Sequence, residues 1–335
     1  MKPEYPTVSV IVPCRNEYVH IEEGIRSILN QQSPEGGFEV LVVDGMSTDG
    51  TREILQELMK DDARLRVIDN PKHFTPHAMN AGIRESSGRF IAIMGAHTHY
   101  SKSYIQVCVN VLEKHPEVWC SGGPIRSQGR SAFGRAVAVA MSHPVGVGNA
   151  KHRFSTFEGY AEGACFPMFR REVFEQIGLY DENLIRNQDD ELNLRMALNG
   201  GKVYLSPLAE CQYFVRDTPR RLFWQYFFYG FFRVEVLKKH KVPASFRQLV
   251  PIVFFPVALL LALVCWWVPD WWAWAGCVPL GTYVVVLLAT GMWVATQHGV
   301  MPGVLFPLAA FLMHAAYAVG FAWNLVGAGM PKSTT

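Results

Sequence analysis

The carboxyl-terminal end of this chain lacks charge. From Leu249 to the last of its 335 residues, Asp270 and Lys332 are the only acidic or basic side chains apart from histidine. Other absences narrow the class. The seven cysteines (Cys14, Cys108, Cys120, Cys165, Cys211, Cys265 and Cys277) form no CxxC pair. Scattered thiols of this kind point to a reducing compartment and away from zinc or a disulfide framework. No GxGxxG follows the first β-rich run, and Gly327-Ala328-Gly329-Met330-Pro331-Lys332-Ser333-Thr334 has Pro331 where a phosphate loop needs glycine. A net charge of +2, with no basic stripe interleaved with aromatics, excludes nucleic acid as the partner. The amino terminus, Met1 to Pro6, has no apolar signal-peptide core and runs straight into a strand pattern. The amino-terminal half is therefore expected in the cytoplasm.

What is present at the uncharged end is three apolar runs, residues 249–268, about 271–296 and about 303–326. Each is near or above the roughly 20 residues that a helix needs to cross hydrocarbon. Pro251, Pro256, Pro279 and Pro307 lie within them, as kinks that neighbouring helices can accommodate. Trp266, Trp267, Trp271, Trp272 and Trp274 crowd the first connection, where indoles suit the headgroup level. Lys238, Lys239, Lys241 and Arg247 precede the first run and Asp270 follows it. The positive-inside rule then puts residues 1–248 in the cytoplasm, the Pro269-Asp270 turn outside and, after three spans, the carboxyl terminus outside. Lone His314 aside, the runs hold no ionisable group that transport would need. The organisation expected is a catalytic domain over 1–215, an interfacial amphipathic segment over 216–248 and three transmembrane helices over 249–330. The middle segment is expected at the interface because Leu222 to Arg233 is rich in aromatics and follows Pro219-Arg220-Arg221.

The charged half alternates β-rich runs (8–12, 38–43, 65–68, 90–94) with helical patterns such as Ile21, Ile25, Ile28, Leu29 and Ile54, Leu55, Leu58, Met59. Alternation of this kind predicts a largely parallel, covered sheet. Ligands then sit beyond the carboxyl ends of the strands, at 13–17, 44–49, 69–80 and 95–99. Asp44, at a strand end, can accept from a base N–H or a ribose hydroxyl, and Asp49 can serve as a helix cap. Further on, Asn187-Gln188-Asp189-Asp190-Glu191 opens a helix with carboxylates. That placement suits a general base beside a cleft, and it suits a solvated helix terminus too.

The segments 8–17, 42–51, 80–88 and 166–191 together resemble family 2 inverting glycosyltransferases, over roughly residues 7–235. The resemblance is narrowest to the succinoglycan-type exopolysaccharide glucosyltransferase branch. It implies an α/β GT-A (Rossmann-like nucleotide-diphospho-sugar transferase) domain followed by C-terminal transmembrane α-helices, on a bacterial inner (plasma) membrane. It implies a UDP-sugar donor, with glucose suggested, a lipid-linked saccharide acceptor, and other polysaccharide-assembly proteins as partners. Carried over by position, Asp189 is the base and Arg195 orients it. Pro13, Arg15, Glu17, Asp44 and Asn80 fall at the donor, and Glu162, Gln188 and Gln225 at the acceptor. His97 falls where the family holds a divalent metal, Mn²⁺ or Mg²⁺. Gly95-Ala96-His97 departs from that pattern, because Gly95 replaces the first acid. If no metal binds, basic residues such as Arg15 must neutralise the leaving diphosphate. The departure also motivates an alternative class, a catalytically silent binding or assembly subunit of a polysaccharide complex. A processive synthase is disfavoured, since Gln225-Tyr226-Phe227-Phe228-Tyr229 lacks the Arg-Trp of those enzymes.

Overall fold

The computed structural model describes residues 6–243, 245–265, 267 and 271–331, with the side chains of 271–275 left out. The tryptophan-rich turn, including Pro269 and Asp270, and Lys332 therefore lie outside the described residues. Two compact units emerge, Met1–Arg126 with Lys151–Tyr213, and Ser127–Ala150 with Phe214–Thr335.

The first unit is built on an eight-stranded sheet. β1 (Val8–Cys14), β2 (Phe38–Asp44), β3 (Leu65–Asp69) and β4 (Phe90–Ile93) are mutually parallel in the order β3-β2-β1-β4. Val10, Ile11, Val12, Val40, Leu41 and Val42 are wholly buried, as continuous β-branched runs covered on both faces should be. The helices α1 (Ile21–Leu29), α2 (Thr51–Asp61), α3 (Thr75–Glu85) and α4 (Tyr104–Lys114) intervene. Ile21, Ile25, Ile28 and Leu29 form the buried stripe of α1. The expectation of a largely parallel sheet holds for this half alone. Beyond β4 the order continues β9-β6-β10-β8, with β6 (Val118–Gly122), β8 (Gly159–Ala161), β9 (Met168–Arg170) and β10 (Lys202–Leu205). β9 is antiparallel to both β4 and β6, and β8 to β10. Strands of three residues are too short to announce themselves by alternation. A small second sheet runs β5 (His99–Tyr100), β11 (Cys211–Phe214), β7 (Ile125–Gln128). α7 (Arg171–Ile177) and α8 (Gln188–Leu198) complete the unit.

The second unit is helical. α5 (Ala132–Ala140) and α6 (Pro144–Val147) join α9 (Pro219–His240), α10 (Val250–Cys265), α11 (Trp271–His298) and α12 (Val300–Leu325). Residues 127–150 thus fall in the same unit as the apolar helices, and α5 carries one charge, Arg135, in nine residues. The segment expected at the interface is a continuous 22-residue helix, α9, whose Gly230 has no room for a Cβ against the Tyr317 backbone of α12. Phe246–Cys265, Gly276–His298 and Val300–Leu325 are long and apolar enough to cross a membrane.

Candidate active site

The loops after β1, β2 and β3 are tied to one another. Asn16 N–H donates to Ser47 Oγ at 2.8 Å, Thr48 N–H to Asn16 Oδ1 at 3.0 Å, and Glu17 N–H to Thr51 Oγ1 at 2.9 Å. Asp49 accepts from Tyr18 N–H at 3.1 Å and from Thr51 N–H at 3.1 Å, so its work is local to the loop, as a helix-start acid. Among the described residues five non-glycines have positive φ, and Asn16, Met46, His73 and Asn187 of these lie in the β1, β2 and β3 loops and just before α8. Backbone held in that region costs energy and collects where a site must be shaped.

Asp44 closes β2. Its side chain is fully buried, and Oδ2 accepts from Ser47 N–H at 3.0 Å and from Arg52 at 2.7 Å. Oδ1 accepts from Ser47 Oγ and faces Cys14 Sγ at 3.7 Å. A carboxylate offers about four acceptor directions, and all are used, so a base N–H reaches Asp44 only by displacing a partner. Arg52, which the sequence reading did not single out, also bonds Asp69 at 2.7 Å and so joins the ends of β2 and β3. Pro13 sits in the ladder opposite Val43. Arg15 is exposed, its aliphatic stem lying over Gly45.

Asn80, expected at the donor, is held by the protein itself. It is buried; its amide donates to Tyr180 O and Glu182 Oε1, both at 2.9 Å, and Oδ1 accepts from Tyr180 N–H at 3.0 Å. Its hydrogen bonds go into clamping the 180–182 turn onto α3.

His97 lies in the turn after β4, with Nδ1 3.3 Å from Glu17 Oε1. His99 is on β5 and pairs with Glu23 at 3.6 Å. Gly24 of α1 has no room for a Cβ beneath the Ala96 carbonyl, so the turn rests directly on that helix. A Cβ at Gly95 would stand 2.9 Å from Thr98 Oγ1 and 3.1 Å from Phe166, so any larger residue there would press on both side chains. His97 and Glu17 supply two donors. Among the described residues no three His, Cys, Asp or Glu side chains converge to hold an ion. The side chains present do not make a complete metal centre by themselves.

α8 carries the acids. Asn187 precedes it with φ 59°. Asp189, in the first turn, is exposed to water, yet protein surrounds it over the longer range on which its field acts. That crowding, and next the charge of Asp190, push its pKa up to about 7. Gln188 is buried, and its Oε1 has no hydrogen-bond partner. The Tyr180 hydroxyl is likewise buried without one; its burial first, then the Asp189 charge, raise its pKa well above 10. Arg195 does not hold Asp189. Its guanidinium grips Glu191 bidentately at 2.8–3.0 Å and donates to the carbonyls of Ile177, Gly178 and Leu179. Glu191, absent from the expected site, is fully buried by this pair. The i,i+4 spacing of Glu191 and Arg195 was the available signal.

Segment 162–166 joins the two halves. Gly163 abuts the Asn193 side chain of α8, the Cys165 thiol lies within the field of Asp189, and Phe166 packs beside Gly95. Glu162 is exposed on this segment. Gln225 is on α9 in the second unit, donating to the Tyr229 hydroxyl at 3.2 Å.

A mixed sheet with loops zipped at the carboxyl ends of its parallel strands, and a carboxylate of raised pKa opening α8, fit a nucleotide-sugar transferase of GT-A type. The chain belongs to glycosyl transferase family 2, whose model matches residues 9–178. It is 32% identical over 318 residues, 93% of each chain, to the succinoglycan biosynthesis protein ExoA of Rhizobium meliloti (strain 1021). A Methanococcus voltae relative is 27% identical over 67% of this chain and 71% of its own; it is named as a dolichyl N-acetyl-alpha-D-glucosaminyl phosphate 3-beta-D-2,3-diacetamido-2,3-dideoxy-beta-D-glucuronosyltransferase. Among solved structures, the mannosyltransferase PcManGT of Pyrobaculum calidifontis, in complex with GDP-Man and Mn²⁺, superposes with a TM-score of 0.64 at 20% identity, covering 96% of this chain and 88% of that one. The protein is thus a glycosyltransferase, similar to an exopolysaccharide-synthesis protein.

Proposed function

We propose that this protein transfers one sugar, with inversion, from a UDP-sugar to a saccharide carried on a lipid, in the synthesis of an exopolysaccharide or cell-surface glycan. The catalytic unit faces the cytoplasm and the apolar helices hold it at a bacterial plasma membrane. Glucose is the donor sugar favoured, through the likeness to a succinoglycan biosynthesis protein. The observation that carries the reading is Asp189, a cleft carboxylate whose pKa of about 7 matches the working pH of a general base.

Asp189 takes the proton of the acceptor hydroxyl as that oxygen attacks the anomeric carbon. The bond from that carbon to the diphosphate breaks on the opposite face, and UDP leaves with its electron pair. Gln188, with an unpartnered buried Oε1, accepts from a second hydroxyl of the acceptor. Glu162 lines the same side from the segment that abuts α8. Arg15, exposed over the β2 loop, meets the diphosphate. Arg195 acts through Glu191, by fixing α8 against the 177–179 turn. The protein's own donors, His97 and Glu17, do not complete a metal shell, and no step is assigned to an ion. The retained Asp189 and the donor-loop residues argue against the silent-subunit reading.

The test is Asp189→Asn in detergent-purified protein, with UDP release and transfer to a lipid-linked saccharide as readouts. Loss of both, with UDP binding retained and a product of inverted configuration from the parent, is expected. Full activity in the variant refutes the assignment.

A further inference from the structure

Sugar transfer from a nucleoside diphosphate leaves negative charge on the departing diphosphate, and a site gains most by holding fixed positive charge where that charge develops. At the turn after β4 the protein brings His97, paired with the Glu17 carboxylate, and a glycine at position 95. Arg15 lies over Gly45, at the β1 and β2 loops. Beside the 95–98 turn, where β5, β11 and the segment leading to Phe166 meet, stands a second arginine that the sequence reading did not single out.

Arg153 ends a short helical turn, Lys151–Arg153, and is half-buried. Its guanidinium carbon lies 5.9 Å from the centre of the Tyr213 ring, within reach of a cation–π contact. Gln212 is the partner of His99 across the ladder of β11 and β5. The two strands are antiparallel, so Tyr213, one residue on, continues toward Thr98 and His97. The charge of Arg153 also acts on the thiols of Cys165 and Cys211, where it opposes the rise in pKa that burial causes. Cys165 adjoins Phe166, whose ring stands against Gly95, and Cys211 is opposite Tyr100. Cys165, Phe166 and Tyr213 all pack on the core cluster that contains Ala96. These neighbours, all within the sheet unit, put the guanidinium beside the 95–98 turn.

The base lies on another side of the same thiol. Asp189 and Asp190 act on Cys165 in the sense opposite to Arg153. Arg153 is not among the causes that move Asp189 itself, which are crowding and then Asp190. Cys165 is thus nearer to the acids and to the arginine than these are to one another. An inverting displacement calls for such spacing. The acceptor oxygen arrives from the side of the base and the diphosphate leaves on the opposite face of the anomeric carbon, so a cation that serves the leaving group must stand apart from the base. Lys151, on the same turn, is engaged elsewhere: Nζ donates to Tyr160 O at 2.8 Å and lies 5.2 Å from the centre of the Phe157 ring.

We propose that Arg153 is a further catalytic residue, the cation that meets the β-phosphate of the leaving nucleoside diphosphate. The inference rests on the reading above that the donor is a UDP-sugar. In the step, the acceptor hydroxyl gives its proton to Asp189 and its oxygen bonds to the anomeric carbon. The bond from that carbon to the β-phosphate oxygen breaks, and the electron pair stays with UDP. The guanidinium N–H groups donate to the oxygens over which that charge spreads, a planar fork that matches two phosphate oxygens at once. No proton passes through Arg153, whose charge is constant over the working range of pH.

The experiment compares UDP with UMP by calorimetry on the detergent-purified protein and on Arg153→Gln, Arg153→Lys and Lys151→Gln. Arg153→Gln is expected to weaken UDP about tenfold and to leave UMP within about twofold, so that retained UMP binding shows an intact nucleotide pocket. Its transfer kcat should fall about a hundredfold, while the pH of half-maximal rate stays at the parent's value because the base is untouched. Arg153→Lys should recover part of the UDP affinity, and Lys151→Gln should leave it at the parent's. Equal losses for UDP and UMP would show that Arg153 only supports the fold, and would overturn the proposal. Unchanged UDP affinity in Arg153→Gln overturns it as well, and so does a shifted pH of half-maximal rate, which would put the arginine on the base. A parent that prefers GDP to UDP refutes the donor reading alone, and the contrast of GDP with GMP then decides Arg153 in the same way.

Discussion

Asp189 makes a quantitative forecast. With its pKa at about 7, about one tenth of the molecules carry an ionised Asp189 at pH 6 and about nine tenths at pH 8, so kcat/KM should rise about tenfold between them. An unperturbed aspartate, near 3.8, would give a flat profile over that range. The two causes are separable. Asp190→Asn removes the like charge and leaves the crowding, so the half-rise should move below 7 while the plateau rate stays within about twofold. Stability should run the other way. A carboxyl whose folded pKa is raised opposes its own ionisation, so its cost appears as pH rises through the unfolded value and is complete above about 7. Asp189→Asn should therefore raise the melting midpoint more at pH 8 than at pH 4, by an amount that cleft water reduces. The assay is initial-rate UDP release in constant-ionic-strength buffers, with melting followed in parallel. A flat profile from pH 5 to 8, or a half-rise that moves upward in Asp190→Asn, would refute the argument.

Four further outcomes are expected. Arg195→Ala leaves buried Glu191 without its guanidinium and should cost about 3–5 kcal/mol in denaturant unfolding, with Glu191→Gln/Arg195→Met milder than the single change. Asn80→Ala strands the Tyr180 backbone N–H and should cost about 1–3 kcal/mol, lowering kcat without changing UDP affinity in calorimetry. Gly95→Asp should lower stability by about 1–3 kcal/mol through overpacking on Thr98 and Phe166, with Thr98→Ala recovering part of the midpoint. Mn²⁺ titrated into nucleotide-free protein should give no saturable heat, because His97 and Glu17 alone leave the shell open; tight binding would contradict the site described.

The strands β1 to β4 were legible because each is a buried apolar run with a polar loop at its carboxyl end. The acidic opening of α8 was legible too, with Asp189 as the second residue of the helix. What escaped was whatever depends on partners distant in sequence. Asp44 and Asn80 read as ligand-binding residues by their positions, and only packing shows their polar atoms already engaged with Arg52, Ser47 and the 180–182 turn. Arg195 was placed on the right helix, but its reach to Glu191 and three carbonyls depends on how α7 docks. The three-residue β8 and β9 have no periodicity to read, so the mixed half of the sheet could not be foreseen. The three apolar helices were found by composition; which of them faces protein is a matter of glycine contacts at Gly230 and Gly320 that composition does not hold.

The bond from Asn80 to the Tyr180 backbone closes a loop of 100 residues. A contact of such separation has to wait for the chain between to organise, so the turn that leads into α8 can be seated only after α3 is in place and β9 is threaded between β4 and β6. During synthesis the linked loops of β1 to β3 can form while α8 is still unmade, so the early and late parts of this unit become ordered at different times.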